Sequence, residues 1–556
     1  MSTQELAIGI DLGTTNSAIA VWEGGKAKLI PNPLGLFLTP SVVSVDEEQN
    51  ILVGEAAKSR LITRPDQTAA AFKRFLGSDK VYRLGRLEFR PEELCSLILR
   101  QLKSDAEAYL NRNVTDVVIS VPAYFNDHQR KLVAHAAELA ELNAVRLINE
   151  PTAACLAYSL HETHERKFLV FDLGGGTFDV TVVEHQEGFI EVRASTGDNL
   201  LGGEDFTHEL IRWVFDSLGD EADESDLIQF AKIASACEAA KCQATSVRQV
   251  VLPSPFNRTL TLDKEATEEI WKNLLTRLSR PIRQALNDAR LSPDDIDELV
   301  FVGGATRLNE VQKMATRLLG RFGKSEIDPD LVVVIGAVTQ AACRLRDEAV
   351  EEVILTDVSP YTLGISVNRD GNSGVFNPII ERNTVVPASR VERFYTGYDD
   401  QEYVSIEVYQ GERIWVRENL FIDELELAVP KNRAGREAID VRFSYDINGL
   451  LEVDVTVVST GESKLKLIDR TAKGLDEEAK QRSIERLAQL KLHPRDAIPN
   501  ITLMEKLNRL YEEHLSNERH HISQLIFLFN SVLESQDHVK IKKAVEQINR
   551  ELLAYE

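Results

Sequence analysis

The spacing of hydrophobic and polar positions changes along the chain, and the first pattern extends to about residue 350. There, short apolar runs that end in turns alternate with stretches of helical period. Alternation of this kind is typical of an α/β domain, in which helices cover a sheet. The strand-like runs are Leu6 to Ile10, Val117 to Val121, Phe168 to Phe171 and Leu299 to Val302.

Two of these runs open units that resemble each other, AIGIDLGTTNSAIAVWEGG and LVFDLGGGTFDVTVVEHQEG. Each unit consists of a strand, an aspartate, a glycine-rich turn and a second strand. Self-similarity within a chain is the sequence signature of a repeated unit. We therefore predict an internally duplicated domain with two lobes.

The pattern changes to period two after the EEVILTD stretch, Glu351 to Asp357. Strict alternation is typical of half-buried antiparallel strands. Asn448-Gly449 and Asp370-Gly371 predict hairpin turns, because these residue types tolerate positive φ. The alternating segments are Val404 to Val408, Ile439 to Tyr445 and Leu451 to Val457.

From about Gly474 onward the apolar residues return to helical spacing, with stripes from Ile522 to Leu533 and from Ile541 to Leu552. Pro494 separates the first of these helices from the rest, since proline interrupts a helix. The pattern predicts a small helical bundle in which the stripes pack against one another.

The length and the net charge of the chain exclude several classes of protein. A chain of 556 residues exceeds one hydrophobic core and predicts several domains. The 88 acidic and 64 basic residues give a net charge of −24, which disfavours nucleic acid and anionic membranes as partners. The first residues, MSTQELAIGI, lack a basic segment, and no long apolar run follows, so we expect neither a signal peptide nor a membrane span.

The five cysteines are scattered and form no CxxC pair, so a disulfide framework and a zinc site are not indicated. We expect a protein of the reducing cytoplasm. The sequence HETHE at His161 to Glu165 lacks the HExxH spacing of a zinc protease and is interpreted as a polar loop.

The glycine-rich turns DLGTT (Asp11 to Thr15) and DLGGGT (Asp172 to Thr177) carry the candidate chemistry. Such turns direct backbone N–H groups at phosphates and place a carboxylate near the accompanying cation. One turn alone would suggest an ordinary hairpin, but two copies favour a nucleotide site. LVFVGGATR (Leu299 to Arg307) would let the backbone approach a nucleoside closely.

Other nucleotide motifs do not fit. Both turns continue into a strand instead of a helix, which excludes the dinucleotide-binding fingerprint and the P-loop. The GKS at Gly323 to Ser325 is not a P-loop either, because Leu318 occupies the position of the required glycine.

Six motifs occur in a fixed order: DLGTTNS, VPAYFNDHQR, NEPTAA, DLGGGTFDV, LGGEDF and LVFVGGATR. In this order they resemble the nucleotide-binding domain of DnaK-like seventy-kilodalton heat-shock chaperones. TDVSPYTLGI and YQGER extend the resemblance downstream, whereas the helical tail is only weakly similar. The AAKC at Ala239 to Cys242 and the short loops are most similar to the HscC-like branch of that family.

The resemblance implies a multidomain protein. An α/β, actin-like, two-lobed nucleotide-binding domain would cover residues 1–350 and an interdomain linker residues 351–358. A β-sandwich peptide-binding domain would cover residues 359–470, and a short α-helical lid residues 471–556.

The protein would hydrolyse ATP to ADP and phosphate, and would use the cycle to bind and release extended apolar segments of unfolded proteins. Mg²⁺ and K⁺ are the implied ions. A J-domain co-chaperone and a nucleotide exchange factor are the implied partners of a monomer.

The resemblance also assigns residues to the nucleotide site. Lys73 would face the γ-phosphate, and Thr14, Thr15 and Thr177 would contact phosphates. Many relatives have arginine where this chain has Cys242, and cysteine gives up the stacking of a guanidinium on adenine. The implied catalytic residues are Asp11, Lys73, Glu150, Asp172 and Thr177, and the implied metal site is Asp11, Asp172 and Asp179. The implied nucleotide contacts are Gly13, Thr14, Thr15, Asn16, Gly174, Gly175, Gly176, Gly202, Gly203, Glu238, Lys241, Cys242, Gly303, Gly304, Ala305, Arg307 and Asp330.

Two further groups follow from the same resemblance. An apolar strip in the linker would dock on the nucleotide domain when ATP is bound; by pattern alone this strip could also be a buried strand end. The residues of this coupling are Pro122, Arg130, Val353, Ile354, Leu355 and Asp357. The peptide pocket and the arch over it would consist of Ile365, Asn368, Phe394, Gly397, Val404 and Ile406, some of which could instead be sandwich core.

Two alternatives share parts of this sequence. An actin-fold kinase for a small molecule such as a sugar or acetate would have the duplicated turns, but would leave the linker and the β module unexplained. A nucleotide exchange factor related to these chaperones would bind ATP with little hydrolysis, but the presence of Lys73, Glu150 and Thr177 argues against it. ATP turnover with and without an unfolded peptide separates the three.

Overall fold

The computed structural model describes residues 5–159, 165–186, 189–243, 247–324, 327–345, 350, 354–369, 371–386, 388–445, 451–468, 498–513, 516–534 and 538–552. Several predicted features lie wholly or partly outside these residues: the Asn448-Gly449 and Asp370-Gly371 turns, the HETHE loop at 161–165, Val353, Pro494 and the first part of the predicted lid. Within the described part of the chain, no helix has the length and apolar character needed to cross a bilayer.

The first lobe contains a mixed sheet in the order β11-β10-β1-β2-β3, with β4 paired to β2. The order β6-β5-β7 forms a separate small sheet, and β8 and β9 form another. The strands of the lobe are β1 (Ile8–Asp11), β2 (Asn16–Glu23), β3 (Lys26–Leu29), β4 (Thr39–Pro40), β5 (Val42–Val45), β6 (Ile51–Val53), β7 (Thr68–Ala70), β8 (Tyr82–Leu84), β9 (Leu87–Phe89), β10 (Asp116–Val121) and β11 (Asn143–Asn149). Its helices are α1 (Glu55–Ser59), α2 (Pro91–Leu110), α3 (Asp127–Leu139) and α4 (Glu150–Ser159).

The second lobe is built on a sheet in the order β18-β17-β12-β13-β14. Its strands are β12 (Arg166–Leu173), β13 (Phe178–Gln186), β14 (Phe189–Asp198), β15 (Arg248–Leu252), β16 (Arg258–Leu262), β17 (Glu298–Val302) and β18 (Gly323–Lys324). Its helices are α5 (Gly203–Leu218), α6 (Leu227–Lys241), α7 (Lys264–Ala289), α8 (Asn309–Leu319) and α9 (Val332–Arg344). Helix α9 packs against both β1 and α4, so it joins this lobe to the first.

The two similar sequence units have the same strand pairing. β1 pairs antiparallel with β2 and parallel with β10. β12 pairs antiparallel with β13 and parallel with β17. The aspartate of each unit, Asp11 or Asp172, therefore stands at the same end of its sheet, directly before the glycine-rich turn. This equivalence brings the two turns toward each other.

The connector continues the second sheet. β19 (Ile354–Val358) pairs in parallel with β14 and antiparallel with β22 (Val385–Val386), which belongs to the following module. The expected linker is thus a strand of the second sheet that lies between β14 and β22.

The module after the connector has two antiparallel sheets, in the orders β21-β20-β24-β25 and β23-β26-β27-β28. Alternate residues of both sheets, such as Val408, Val441 and Val455, are buried in one shared core, as the period-two pattern predicts. The strands are β20 (Leu363–Arg369), β21 (Asn372–Ile380), β23 (Ala388–Tyr395), β24 (Tyr403–Gln410), β25 (Leu420–Ala428), β26 (Ala438–Tyr445), β27 (Leu451–Val457) and β28 (Ser463–Ile468).

Three helices follow, α10 (Ile498–Glu513), α11 (Ser516–Glu534) and α12 (His538–Leu552). Leu507, Phe529 and Ile548 lie in a core common to all three, so the apolar stripes pack against one another. Helix α10 also packs against α1 of the first lobe, where Arg60 Nη1 donates a hydrogen bond to Glu505 Oε1 over 2.9 Å. The sequence pattern did not predict this contact.

Candidate nucleotide-binding site

A cavity of about 400 Å³ lies between the two lobes, where the three glycine-rich turns converge. It brings together most residues that the sequence assigned to a nucleotide. These are Asp11, Gly13, Thr14, Thr15, Asn16, Lys73, Glu150, Asp172, Gly174, Gly175, Thr177, Gly203, Glu238, Lys241, Cys242, Gly303, Gly304, Ala305, Arg307 and Asp330. Residues that line the cavity without having been predicted are Leu38, Gln243, Val302, Leu308, Pro329 and Val333.

Three predicted residues are placed behind the cavity wall instead of on it. Gly176 packs against Arg74 and Thr14, and Gly202 packs against the backbone of Gly175. Asp179 is buried at the start of β13. Gly176 and Gly202 support the turns, and Asp179 adds negative charge beneath the cavity.

The turns approach too closely for larger residues. A Cβ on Gly175 would lie 2.0 Å from Thr15 Oγ1, across the gap between the lobes. Gly303 has φ +79°, and a Cβ there would lie 2.4 Å from the carbonyl oxygen of Leu173. Glycine is therefore required by contacts between turns that are more than one hundred residues apart in the sequence.

Helix α5 fixes the DLGGGT turn through its first residues. The backbone N–H of Gly203 donates to Gly174 O and that of Glu204 to Gly175 O, each over 2.9 Å. These bonds satisfy two of the free N–H groups at the helix start and hold the turn rigid.

Four carboxylates and one ammonium lie at or directly beneath the floor of the cavity: Asp11, Glu150, Asp172, Asp179 and Lys73. All of them are buried except Asp11, which is half-buried. Lys73 Nζ donates to Glu150 Oε1 over 2.8 Å, and Ser120 Oγ donates to Asp11 Oδ1 over 2.7 Å. One cation for four carboxylates leaves the floor with an excess of negative charge.

Burial and repulsion by neighbouring carboxylates make Asp11, Asp172 and Asp179 unusually hard to ionise, since both effects raise their pKa values. Burial, followed by the charge of Glu150, raises the pKa of Asp11 and that of Asp179 to about 7 each. The same two causes raise the pKa of Asp172 well above its usual range. Burial acts to lower the pKa of Lys73, but Glu150 and Asp11 outweigh it and raise this pKa. The ammonium therefore stays charged.

The floor fits a divalent cation. Asp172 Oδ2 is buried without a hydrogen-bond partner, and excess carboxylate charge is what a bound cation neutralises. Among the described residues, no three His, Cys, Asp or Glu side chains are close enough to hold a metal by themselves. Mg²⁺ keeps several waters and binds one or two carboxylates together with phosphate oxygens, and Asp11 and Asp172 both line this cavity.

The end of helix α6 forms the opposite wall. Lys241 Nζ donates to Glu238 Oε2 over 2.7 Å and to Gly203 O over 3.1 Å. Cys242 is exposed at the rim, and its thiol donates to Glu238 Oε1 over 3.6 Å. Burial and the Glu238 carboxylate raise the pKa of this thiol.

Arg307 is held at the same rim by two carboxylates. Its Nη2 donates to Asp328 Oδ1 over 2.6 Å and to Asp330 Oδ2 over 2.9 Å. Asp328 was not predicted. Its position two residues before Asp330 is the sequence feature that could have identified it as a residue of this rim. Arg307 supplies a guanidinium to the lining of the cavity, whereas position 242 carries a cysteine.

Two of the predicted coupling residues, Arg130 and Asp357, are joined through Asn149 by side-chain hydrogen bonds that lead from the cavity floor to the connector. Arg130 is buried and donates to Ala123 O, Phe125 O and Asn149 Oδ1. Asn149 Nδ2 in turn donates to Asp357 Oδ2 over 2.8 Å, and Thr152 Oγ1 does so over 3.4 Å. Burial raises the pKa of Asp357, while the N–H of Val358 and then the charge of Arg130 act to lower it.

The residues around this hydrogen-bonded path were only partly predicted. Pro122 is buried, and its carbonyl accepts the N–H of Phe125. Ile354 and Leu355 lie in β19, paired with Phe189 and Ile190 of β14, whereas Val353 is not among the described residues. Asn149 and Thr152 were missed, although both are part of the NEPTAA motif.

The module after the connector contacts the nucleotide lobes directly. Gln410 Oε1 accepts the backbone N–H of Asp127, and Tyr361 donates its hydroxyl to Tyr124 O over 2.6 Å. Arg382 and Asn383 both donate to Asp288 at the end of α7. These contacts, between residues 94 to 283 positions apart, were not predicted from the sequence.

The predicted peptide residues divide into two groups. Ile365, Val404 and Ile406 are buried in the core of the module, and Phe394 packs against that core. Asn368 and Gly397 are exposed. Three tyrosines that are close to Gly397 in the sequence were not predicted. Their side chains are more than half exposed: Tyr395, Tyr398 and Tyr403.

Comparison with known proteins covers almost the whole chain. The family model described as Hsp70 protein matches residues 7–554. The Chaperone protein DnaK of Thermotoga neapolitana is 38% identical, over 98% of this chain and 93% of that protein. The Chaperone protein DnaK of Thermotoga petrophila is 41% identical, over 86% of this chain and 83% of that protein.

Proposed function

The chain belongs to the Hsp70 family, and from that premise we propose that it couples ATP hydrolysis between its lobes to the binding and release of extended apolar peptide segments. The protein is an ATP-dependent chaperone and an ATPase. One observation carries the proposed coupling. Asp357 of the connector accepts a hydrogen bond from Asn149, the residue directly before Glu150, which in turn binds Lys73.

The roles proposed for the floor residues follow from charge and position. Lys73 and Thr177 would stabilise the negative charge that shifts during transfer of the γ-phosphoryl group to water, and Glu150 would hold the Lys73 ammonium in place. Asp11, Asp172 and Asp179 would hold Mg²⁺ with its waters, and we propose K⁺ as a further ion at this site. Bound Mg²⁺ would supply charge neutralisation. The protein's own contribution would be positioning and preorganised electrostatics, without a covalent intermediate.

For the nucleotide, we propose that the backbone of the turns at Gly13 to Asn16 and Gly174 to Gly176 cradles the phosphates. Gly202, Gly203, Glu238, Lys241 and Cys242 would form one adenosine wall. Gly303, Gly304, Ala305, Arg307 and Asp330 would form the other. The support is that the cavity brings most of these residues within one space of about 400 Å³.

For the peptide, we propose that the β module binds an extended segment, because backbone hydrogen bonds to a strand give affinity without a fixed sequence. Ile365, Val404 and Ile406 would form the floor of one apolar pocket and Phe394 its side. Asn368 and Gly397 would stand above the bound chain. Their exposure supports this placement.

Several finer assignments belong to the same proposal. The nucleotide lobes would have the actin-like fold and end near residue 350, the linker would cover 351–358, and a short lid would follow the β module at residue 471. A J-domain protein and an exchange factor would be partners of a monomer. The HscC-like branch is supported by Ala239 to Cys242, and a cytoplasmic location by five cysteines that are scattered along the chain without a CxxC pair.

Steady-state ATP turnover by the full chain, with and without a permanently unfolded polypeptide, tests the function. We expect Mg²⁺-dependent hydrolysis that the polypeptide stimulates. Nucleotide binding without turnover would instead identify an exchange-factor-like relative. Transfer of phosphate to a small metabolite would identify a kinase, and neither of these two alternatives is favoured by the comparisons.

A further inference from the structure

A buried ion pair lies in the second lobe, outside the nucleotide cavity. Arg248 donates to Glu310 through both terminal nitrogens, over 3.0 and 2.8 Å. The two residues are 0% and 4% exposed. The Arg248 guanidinium also lies over the ring of Trp271, 4.6 Å from its centre. None of these three residues lines the cavity.

Stability alone does not explain this pair. Two charges lose their hydration when buried, and apolar residues of similar volume often serve the fold as well or better. Arg248 Nε remains buried without a hydrogen-bond partner, which adds to the cost. A bidentate ion pair fixes the relative position of the two elements that carry it, whereas an apolar contact does not.

The two elements carry opposite walls of the cavity. Glu310 is in the first turn of α8, which begins directly after the short helical turn Gly304–Arg307. Arg248 opens β15, and the β15–β16 hairpin packs against α6, whose end supplies Glu238, Lys241 and Cys242. The pair therefore links the Gly303–Gly304 wall to the α6 wall.

Trp271 extends the link to the third side of the cavity. Its Nε1 donates to Phe206 O over 3.0 Å, and the two rings meet edge to face at 5.2 Å. Phe206 lies in the first turn of α5, beside Gly203 and Thr207. Gly203 O accepts Lys241 Nζ, and Thr207 Oγ1 donates to Glu238 Oε2.

We propose that Arg248 and Glu310 are positioning residues that set the rate of nucleotide release, by holding the α6 wall and the Gly303–Gly304 wall at a fixed separation. The inference rests on the proposed nucleotide site and deepens it. When the pair is removed, the hairpin and α6 are free to shift away from α8, and bound ADP escapes sooner. The γ-phosphate chemistry, which depends on Lys73 and the carboxylates at the floor, is unchanged.

The test measures release of a fluorescent ADP analogue from the full chain by stopped flow. The main variant is the double substitution Arg248→Met and Glu310→Leu, which removes both charges and leaves neither unpaired. We expect release about tenfold faster than wild type, with single-turnover hydrolysis within twofold. Glu310→Gln keeps the shape and part of the hydrogen bonding, and should give about threefold faster release even if the double variant does not fold.

Leu286→Ala is the matched control, because it weakens the same core on α7 without touching the ion pair. Unchanged release in a folded double variant, or in Glu310→Gln, would overturn the proposal. Equal acceleration by Leu286→Ala would do so too, because it would make the effect one of general loosening. A wild-type protein that binds no ADP would instead refute the nucleotide site itself.

Discussion

The side-chain amide of Asn149 donates a hydrogen bond to the carboxylate of Asp357 over 2.8 Å, although 208 positions separate the two residues. Asn149 ends β11 and Glu150 begins α4, so the connector is one residue away from the partner of Lys73. A change at the phosphate end of the cavity can therefore reach the connector through a single backbone junction.

Asp357→Ala removes this acceptor and should uncouple the two domains. We expect ATP-triggered peptide release to weaken by about 5- to 150-fold, the usual range of a coupling free energy. Basal ATP turnover and peptide affinity with ADP should stay near wild type. Anisotropy of a labelled peptide after ATP addition measures the effect, with the exposed Glu426→Ala as control. Full ejection of peptide from Asp357→Ala would show that the connector contact is not required. Leu355→Asp should uncouple the domains in the same way.

Lys73→Ala should abolish most hydrolysis while largely sparing ATP binding. The Lys73 ammonium is buried beside Glu150 at the cavity floor, and loss of one preorganised charge typically costs about 10²- to 10³-fold in rate. Single-turnover hydrolysis, measured together with ATP binding, gives the result. Lys80→Ala is the control, because Lys80 is exposed in the same segment. Normal single-turnover hydrolysis in Lys73→Ala would remove this lysine from the catalytic residues.

Cys242→Arg should slow nucleotide release. Cys242 is exposed at the adenosine rim, and Arg307 is held by Asp328 and Asp330, so an arginine at position 242 could cover the base. Stacking of a guanidinium contributes up to roughly 2 kcal/mol when desolvated, which corresponds to about 30-fold slower release. Stopped-flow release of an ADP analogue tests this, with Cys242→Ser as control. An unchanged or faster rate in the arginine variant would contradict it.

Removal of the chain beyond about Leu503 should accelerate peptide dissociation only modestly. The apolar stripes of α10 to α12 pack against one another, and α10 also contacts α1 of the first lobe. We therefore expect weak, rapidly exchanging peptide binding in the intact protein, even with ADP bound. Anisotropy of both proteins decides the point. Residence of hours in the intact protein, lost on truncation, would show that the tail is a full lid.

Asp105→Asn should stabilise the nucleotide domain at high pH alone. Burial raises the pKa of Asp105 to about 7, against the opposing hydrogen bond from Gln101, so the folded state holds a proton that the unfolded state has released. The wild type therefore loses stability as pH rises from about 4 to about 7. The variant avoids this loss, up to roughly 4 kcal/mol at pH 8. Thermal unfolding at pH 4 and pH 8 checks it; an equal gain at both values would exclude ionisation as the cause.

The sequence by itself determined the parts of this protein that depend on neighbours along the chain. Alternation fixed the faces of β24 and β26, because successive side chains of a strand point to opposite sides. The glycine-rich turns after Asp11 and Asp172 predicted a shared nucleotide site, because residue types that expose backbone N–H groups are recognisable locally. Family resemblance extended this to Lys73 and Glu150, which composition and spacing alone would not have distinguished from solvated side chains.

The tertiary structure alone decided which surfaces meet. Asp288 binds Arg382 and Asn383, Arg60 binds Glu505, and Arg248 binds Glu310 across separations of 62 to 445 positions. Nothing in the local pattern marks these residues, since an arginine that pairs in the interior and one that faces water look the same in a sequence. The path of the whole chain determines their partners, because a buried charge is tolerated only where the fold places an opposite charge beside it.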